Sequence, residues 1–131
     1  MVNLGVIISG GGSNLQAIID ATESGILKGV AKVTVVISNK GDAFGLKRAQ
    51  KHNIKAVHID PKQFQDNNAF CLRILKELKD NSVELVCLAG YMRMLDSCLV
   101  REYKGKVLNI HPALLPKYGG KGMYGTMCMN P

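Results

Sequence analysis

The segment Leu4-Gly5-Val6-Ile7-Ile8-Ser9-Gly10-Gly11-Gly12-Ser13-Asn14 constrains this chain most, because it sets an apolar strand run directly before three consecutive glycines. Helical spacing follows at once in Leu15, Ile18 and Ile19. Strand, glycine loop and helix in that order begin a βα unit, and the alternation continues along the chain. The pattern predicts strands over 2–8, 30–38, 56–59, 83–89 and 106–111. It predicts helices over 13–24, 43–52 and 64–79, with Phe70, Ile74, Leu75 and Leu78 on the inner side of the third, and a short helical turn over 97–102. Such alternation implies an α/β fold with a doubly wound, mostly parallel sheet. With 131 residues and 47% hydrophobic content, there is one core and no room for a second domain.

Glycines let the backbone turn sharply, and free N–H groups at a helix start, aided by the helix dipole, favour a phosphate. Gly12, Ser13 and Asn14 are therefore candidate phosphate-binding residues, although a plain tight turn with Ser13 or Asn14 as N-cap accounts for the same residues. The dinucleotide fingerprint fails because Leu15 occupies its third glycine position, and the P-loop fails because no Lys-Ser/Thr follows Gly12. A second motif, Leu108-Asn109-Ile110-His111-Pro112-Ala113-Leu114-Leu115-Pro116, falls at a strand end. Residues i and i+2 of a strand share a face, so Asn109 and His111 can converge on one reacting atom. A strand that ends in a satisfied histidine is the alternative. In doubly wound sheets ligands gather at the carboxyl ends of strands, and both motifs fall there.

Four ordered segments resemble the glycinamide ribonucleotide transformylase family, over residues 2 to about 125. They are Ile8-Ser9-Gly10-Gly11-Gly12-Ser13-Asn14-Leu15-Gln16-Ala17-Ile18, Ser38-Asn39-Lys40 with Ala43-Phe44-Gly45-Leu46, Leu88-Ala89-Gly90-Tyr91-Met92-Arg93-Met94-Leu95, and Asn109-Ile110-His111-Pro112-Ala113-Leu114-Leu115-Pro116-Lys117-Tyr118. The resemblance implies a Rossmann-like formyltransferase fold. It also implies transfer of a formyl group from 10-formyltetrahydrofolate to the amine of 5-phosphoribosylglycinamide, in purine biosynthesis. By the same resemblance Gly12, Ser13 and Asn14 hold the substrate phosphate, and Met92, Arg93, Met94 and Leu95 line the folate pocket. Asn109 and His111 carry the transfer, with Asn109 also facing the cofactor. Residue chemistry alone allows Met92, Met94 and Leu95 to be ordinary core or cap residues and Arg93 a solvated cation.

The implied reaction passes through a tetrahedral intermediate with a negative oxygen, which needs hydrogen-bond donors where charge develops. The Asn109 amide supplies one and a protonated His111 another, the histidine then assisting proton transfer to the leaving nitrogen. The family adds an aspartate well downstream of Asn-x-His that favours the cationic imidazole. Asp60 and Asp96 match no motif that would give them this role. Asn67 stands where relatives often carry arginine toward the folate side, which weakens the expectation of cofactor affinity.

Seventeen Lys and Arg against ten Asp and Glu give a net charge of +7. The cations are dispersed and aromatic residues make up only 5%, whereas single-stranded nucleic acid calls for a basic stripe interleaved with aromatics. The charge suits small anionic substrates better. Cys71, Cys87, Cys98 and Cys128 show no C-x-x-C spacing, so the expectation is neither a zinc site nor a disulfide framework, with Cys87 a buried reduced thiol. No metal, no membrane span and a cytoplasmic location are expected.

The final residues, Thr126-Met127-Cys128-Met129-Asn130-Pro131, depart from the family pattern. Codons for Gly-His-Tyr-Val-His-Glu with one base lost after the glycine codon read as Gly-Thr-Met-Cys-Met-Asn. The expectation is a formyltransferase α/β domain over 1–125 followed by an aberrant, frameshifted tail over 126–131. Later strands and the aspartate would then be missing, leaving activity in doubt and the strand-five edge open to self-association. Two other readings stay open: a different folate-dependent formyltransferase or hydrolase of the superfamily, and a non-catalytic phosphate-binding remnant.

Overall fold

The computed structural model describes residues 1–9, 13–41, 43–89, 97–110 and 128–129. Among these, strands and helices alternate as β1 (Val2–Ile8), α1 (Ser13–Glu23), β2 (Ala31–Ser38), α2 (Phe44–Lys51), β3 (Lys55–His58), α3 (Asn67–Asp80), β4 (Leu85–Ala89), α4 (Ser97–Glu102), β5 (Val107–Ile110) and β6 (Cys128–Met129). The sheet order is β3-β2-β1-β4-β5-β6. All neighbours among the first five strands run parallel, and β6 pairs antiparallel with β5.

Strands covered on both faces must be apolar on both, and β1, β4 and the second half of β2 meet that condition. Leu4, Val6 and Ile8 of β1 pack with Leu15, Ile18 and Ile19 of α1 and with Ala43, Leu46 and Ala49 at α2. On the other face Ile7 joins Phe70, Ile74 and Leu78 of α3 and Leu99 of α4. Two helices therefore cover each face, as the alternation requires.

A register shift makes this two-faced packing work. Leu4 pairs with Val33 but Gly5 with Val35, which leaves Thr34 without an opposite residue on β1. The extra residue inverts the alternation of β2. Ala31 and Val33 consequently share the α1–α2 side with Val36, while Val35 and Ile37 face α3 and α4. Beside the shift, Gly5 sits close under α3: a β-carbon there would lie 2.7 Å from Leu78 Cδ2 and 2.9 Å from Val83 Cγ2.

Two expectations need correction. The third helix starts at Asn67 rather than at residue 64, because Asp66 is its N-cap and accepts the Ala69 N–H at 2.8 Å. Ahead of it Asp60 caps a separate 3-10 turn, Pro61–Gln63, accepting the Lys62 N–H at 2.9 Å. The second correction concerns the cysteines. Cys71 of α3 and Cys98 of α4 form a disulfide, with Cα atoms 6.4 Å apart, although their spacing suggested no such bond. Helix packing brings together residues 27 positions apart in sequence. Cys87 is free and buried, as expected.

Candidate functional site

The strand order reverses direction between β1 and β4, the switch point at which doubly wound sheets leave a crevice at their carboxyl ends. α1 begins at Ser13, after β1 ends at Ile8. Ser13 and Asn14 are thus the first two residues of an 11-residue helix that has no acidic residue in its first turn. An acidic residue in that first turn would offset the positive end of the dipole, and the turn contains none.

Register locates Asn109 against this point. Val57, Ile37, Ile7, Leu88, Asn109 and Cys128 form one continuous row across all six strands. Asn109 therefore lies two strands from β1 and one residue before the end of β5. The fold brings the start of α1, the end of β4 and the end of β5 to one rim. Gly12, Met92, Arg93, Met94, Leu95 and His111 lie outside the described residues. β5 ends at Ile110, immediately before His111.

Polar groups also collect at the ends of β2 and β3 on this rim. The buried Ser38 hydroxyl donates to the Lys40 carbonyl at 2.8 Å and accepts the Lys40 N–H at 3.0 Å, turning the chain out of β2. The buried Asn39 Oδ1 has no hydrogen-bond partner among the described residues. Gly41 abuts the His58 ring, where a β-carbon would lie 3.0 Å from Nδ1 and Cε1.

Behind the rim, polar side chains of α1 and α2 are tied together. Arg48 donates to Gln16 Oε1 at 3.0 Å and lies 5.1 Å over the Phe44 ring. Gln16 donates in turn to Asp20 at 2.9 Å. His52 Nδ1 is 3.0 Å from Glu23 Oε1, joining the ends of α1 and α2. No sequence motif announced this network.

Glu77 is the one charged residue among the buried residues described. Burial pushes its carboxyl pKa up, but hydrogen bonds from Lys55, Arg73 and Asn81 outweigh burial and hold it below the ordinary carboxylate value. The contacts are 2.9 Å to Lys55, 3.0 Å to Arg73 and 2.9 Å to Asn81. Burial moves two other groups the opposite way. The Cys87 thiol is pushed up to about 12, and Tyr103 is raised by burial and by neighbouring Glu102. Among the described residues, no cluster of three or more His, Cys, Asp or Glu is placed to hold a metal ion. No helix there is long and apolar enough to cross a membrane.

Parallel strands in the order 3-2-1-4-5, with a helix start and two strand ends at the switch point, define a doubly wound α/β domain of Rossmann-like type. Residues 2–129 match the formyl transferase family, and the chain belongs to it. It is 45% identical over 119 residues to the phosphoribosylglycinamide formyltransferase of Escherichia coli K12, covering 91% of this chain and 55% of that enzyme. It is 50% identical over 117 residues to the trifunctional purine biosynthetic protein adenosine-3 of Chironomus tentans, covering 89% of this chain and 8% of that protein. Among solved structures, glycinamide ribonucleotide transformylase 1 of Symbiobacterium toebii superimposes with a TM-score of 0.81 at 42% identity, over 90% of this chain and 55% of that one. The chain thus spans little more than half the length of the E. coli enzyme.

Proposed function

We propose that this chain supplies the phosphate-binding and formyl-transfer portion of a phosphoribosylglycinamide formyltransferase. Its substrate is 5-phosphoribosylglycinamide and its cosubstrate 10-formyltetrahydrofolate, with no metal involved. The observation that supports the reading is the common rim, on which the start of α1 and the end of β4 flank the switch point and Asn109 lies one strand further out on β5. The 45% identity to the E. coli enzyme supports the same substrate pair.

In this reading Gly12, Ser13 and Asn14 hold the ribonucleotide phosphate with backbone N–H groups. Met92, Arg93, Met94 and Leu95 form the slot for the flat pterin, methionine adapting to its shape. The substrate amine attacks the formyl carbon, the carbonyl oxygen gains negative charge, and the bond to the folate nitrogen then breaks. Asn109 and His111 donate to the developing oxyanion, and His111 passes a proton to the departing nitrogen. The same reading makes the chain a soluble cytoplasmic protein acting on small molecules, with residues 1–125 forming the domain.

Calorimetric titration of the 131-residue chain with 5-phosphoribosylglycinamide tests the phosphate site. Turnover is measured on the chain extended by the remaining segment of a bacterial relative. There Asn109→Ala is expected to lower kcat about 100- to 1000-fold, and His111→Ala to abolish turnover. No formylated product from the extended protein would overturn the assignment. Binding by the 131-residue chain without turnover would mark it as a phosphate-binding part that needs a further segment.

A further inference from the structure

We propose that Cys71 and Cys98 form a reversible redox clip that fastens the β4–β5 crossover to α3. The two cysteines stand on different helices, both sulfur-bearing side chains are buried, and their Cα atoms are 6.4 Å apart. That separation lies within the range a disulfide spans without backbone movement. Among the described residues α4 is the one helix in the crossover between β4 and β5, and it has six residues.

Reversibility follows from how α4 is otherwise held. Leu99 is fully buried in the α3–α4 core, and the Tyr103 hydroxyl donates to the Val83 carbonyl at 3.0 Å. Lys79 of α3 pairs with Glu102 at the end of α4. These anchors keep α4 docked when both thiols are reduced, so either redox state is compatible with the fold. Access comes through local opening of α4, since a helix of six residues has little stability of its own. Cys87 stays out of the exchange, because it belongs to the core on the opposite face of the sheet and is free.

The oxidant is a small-molecule disulfide of the glutathione class. The Cys98 thiolate attacks one sulfur of that disulfide, forming a mixed disulfide and releasing one small thiolate. The Cys71 thiolate then attacks the Cys98 sulfur, the protein S–S bond forms, and the second small thiolate leaves. Two protein thiols lose two electrons, the small disulfide gains them, and the two protons end on the released thiols.

The test uses the full 131-residue chain, treated with oxidised glutathione or with dithiothreitol and then alkylated and mapped by peptide mass spectrometry. The expected result is one linked peptide pair, Cys71–Cys98, in the oxidised sample and none after dithiothreitol. Reduction is expected to lower Tm by about 10 °C and to speed amide exchange in α4. Cys71→Ala and Cys98→Ala should each melt at the same temperature in both conditions. Alkylatable Cys71 and Cys98 after oxidised glutathione would overturn the proposal, as would a linkage through Cys87 or Cys128. So would a disulfide in the folded chain that resists dithiothreitol, or a redox shift in Tm that survives in either variant. Should one variant fail to fold, the other variant and the peptide map still decide.

Discussion

Glu77 shows what a single side chain does for this fold. Its carboxylate is buried between α3 and β3 and accepts from Lys55, Arg73 and Asn81. Because its folded pKa is held below the ordinary value of 4.5, the ionised form contributes stability that is complete above about pH 4.5. That contribution disappears as pH falls through the depressed value. Glu77→Gln is expected to lower unfolding free energy by about 1–2 kcal/mol at pH 7, since its cationic partners remain partly solvated. Urea titrations at pH 7 and pH 3 check this: a cost of the same size at both pH values would show that the carboxylate charge is not responsible. The sequence did not announce Glu77. A glutamate among the lysines of an amphipathic helix reads as solvated, and only the approach of β3 makes it internal. The disulfide stayed hidden for the same reason, since nothing local connects residues 71 and 98. The place of Asn109 near the end of β5 was legible because its motif is continuous in sequence.

At the scale of elements, boundaries depended on capping chemistry. Among the described residues the sequence located each of the four α-helices but not the 3-10 turn at Pro61–Gln63, and α4 was placed at 97–102 as observed. The start of α3 was misplaced because Phe64 continues the apolar pattern while Asp66 supplies the cap. Asp66→Ala removes the acceptor of the Ala69 N–H. It is expected to cost about 1 kcal/mol of stability, read as a lower urea midpoint, while Asp66→Asn should recover most of it. An unchanged midpoint in the alanine variant would mean that the first turn of α3 finds other acceptors. The offset at Thr34 could not be read from sequence either. Ala31 to Val35 alternates, with Lys32 and Thr34 polar, but Val35, Val36 and Ile37 are apolar in succession, so nothing in the second half of the strand marks the one-residue shift.

For the whole molecule, composition and alternation specified a parallel α/β sheet, but the strand order became visible only in the structure. Among the described residues the sheet ends at β3 on one side and at β6, beyond β5, on the other. β6 pairs with β5 through two residue pairs, Leu108 with Met129 and Asn109 with Cys128. Among the described residues the cover is two pairs long, and an edge so briefly covered invites pairing with another chain. The 131-residue chain is expected to self-associate, with a weight-average sedimentation coefficient that rises with concentration. A monodisperse monomer with a cooperative, high-temperature melt would refute this.

The central place of β1 also sets an order of events during synthesis. Its pairing with β2 needs only the first 38 residues, whereas its other edge is closed by Leu85–Val86–Cys87–Leu88. A ribosome adding about 5–20 residues per second leaves that edge open for several seconds. During this interval β1, β2 and β3 with α1 and α2 form a half-sheet whose apolar α3-facing side is bare. Chaperone demand should therefore peak after β2 has emerged and fall once β4 has emerged.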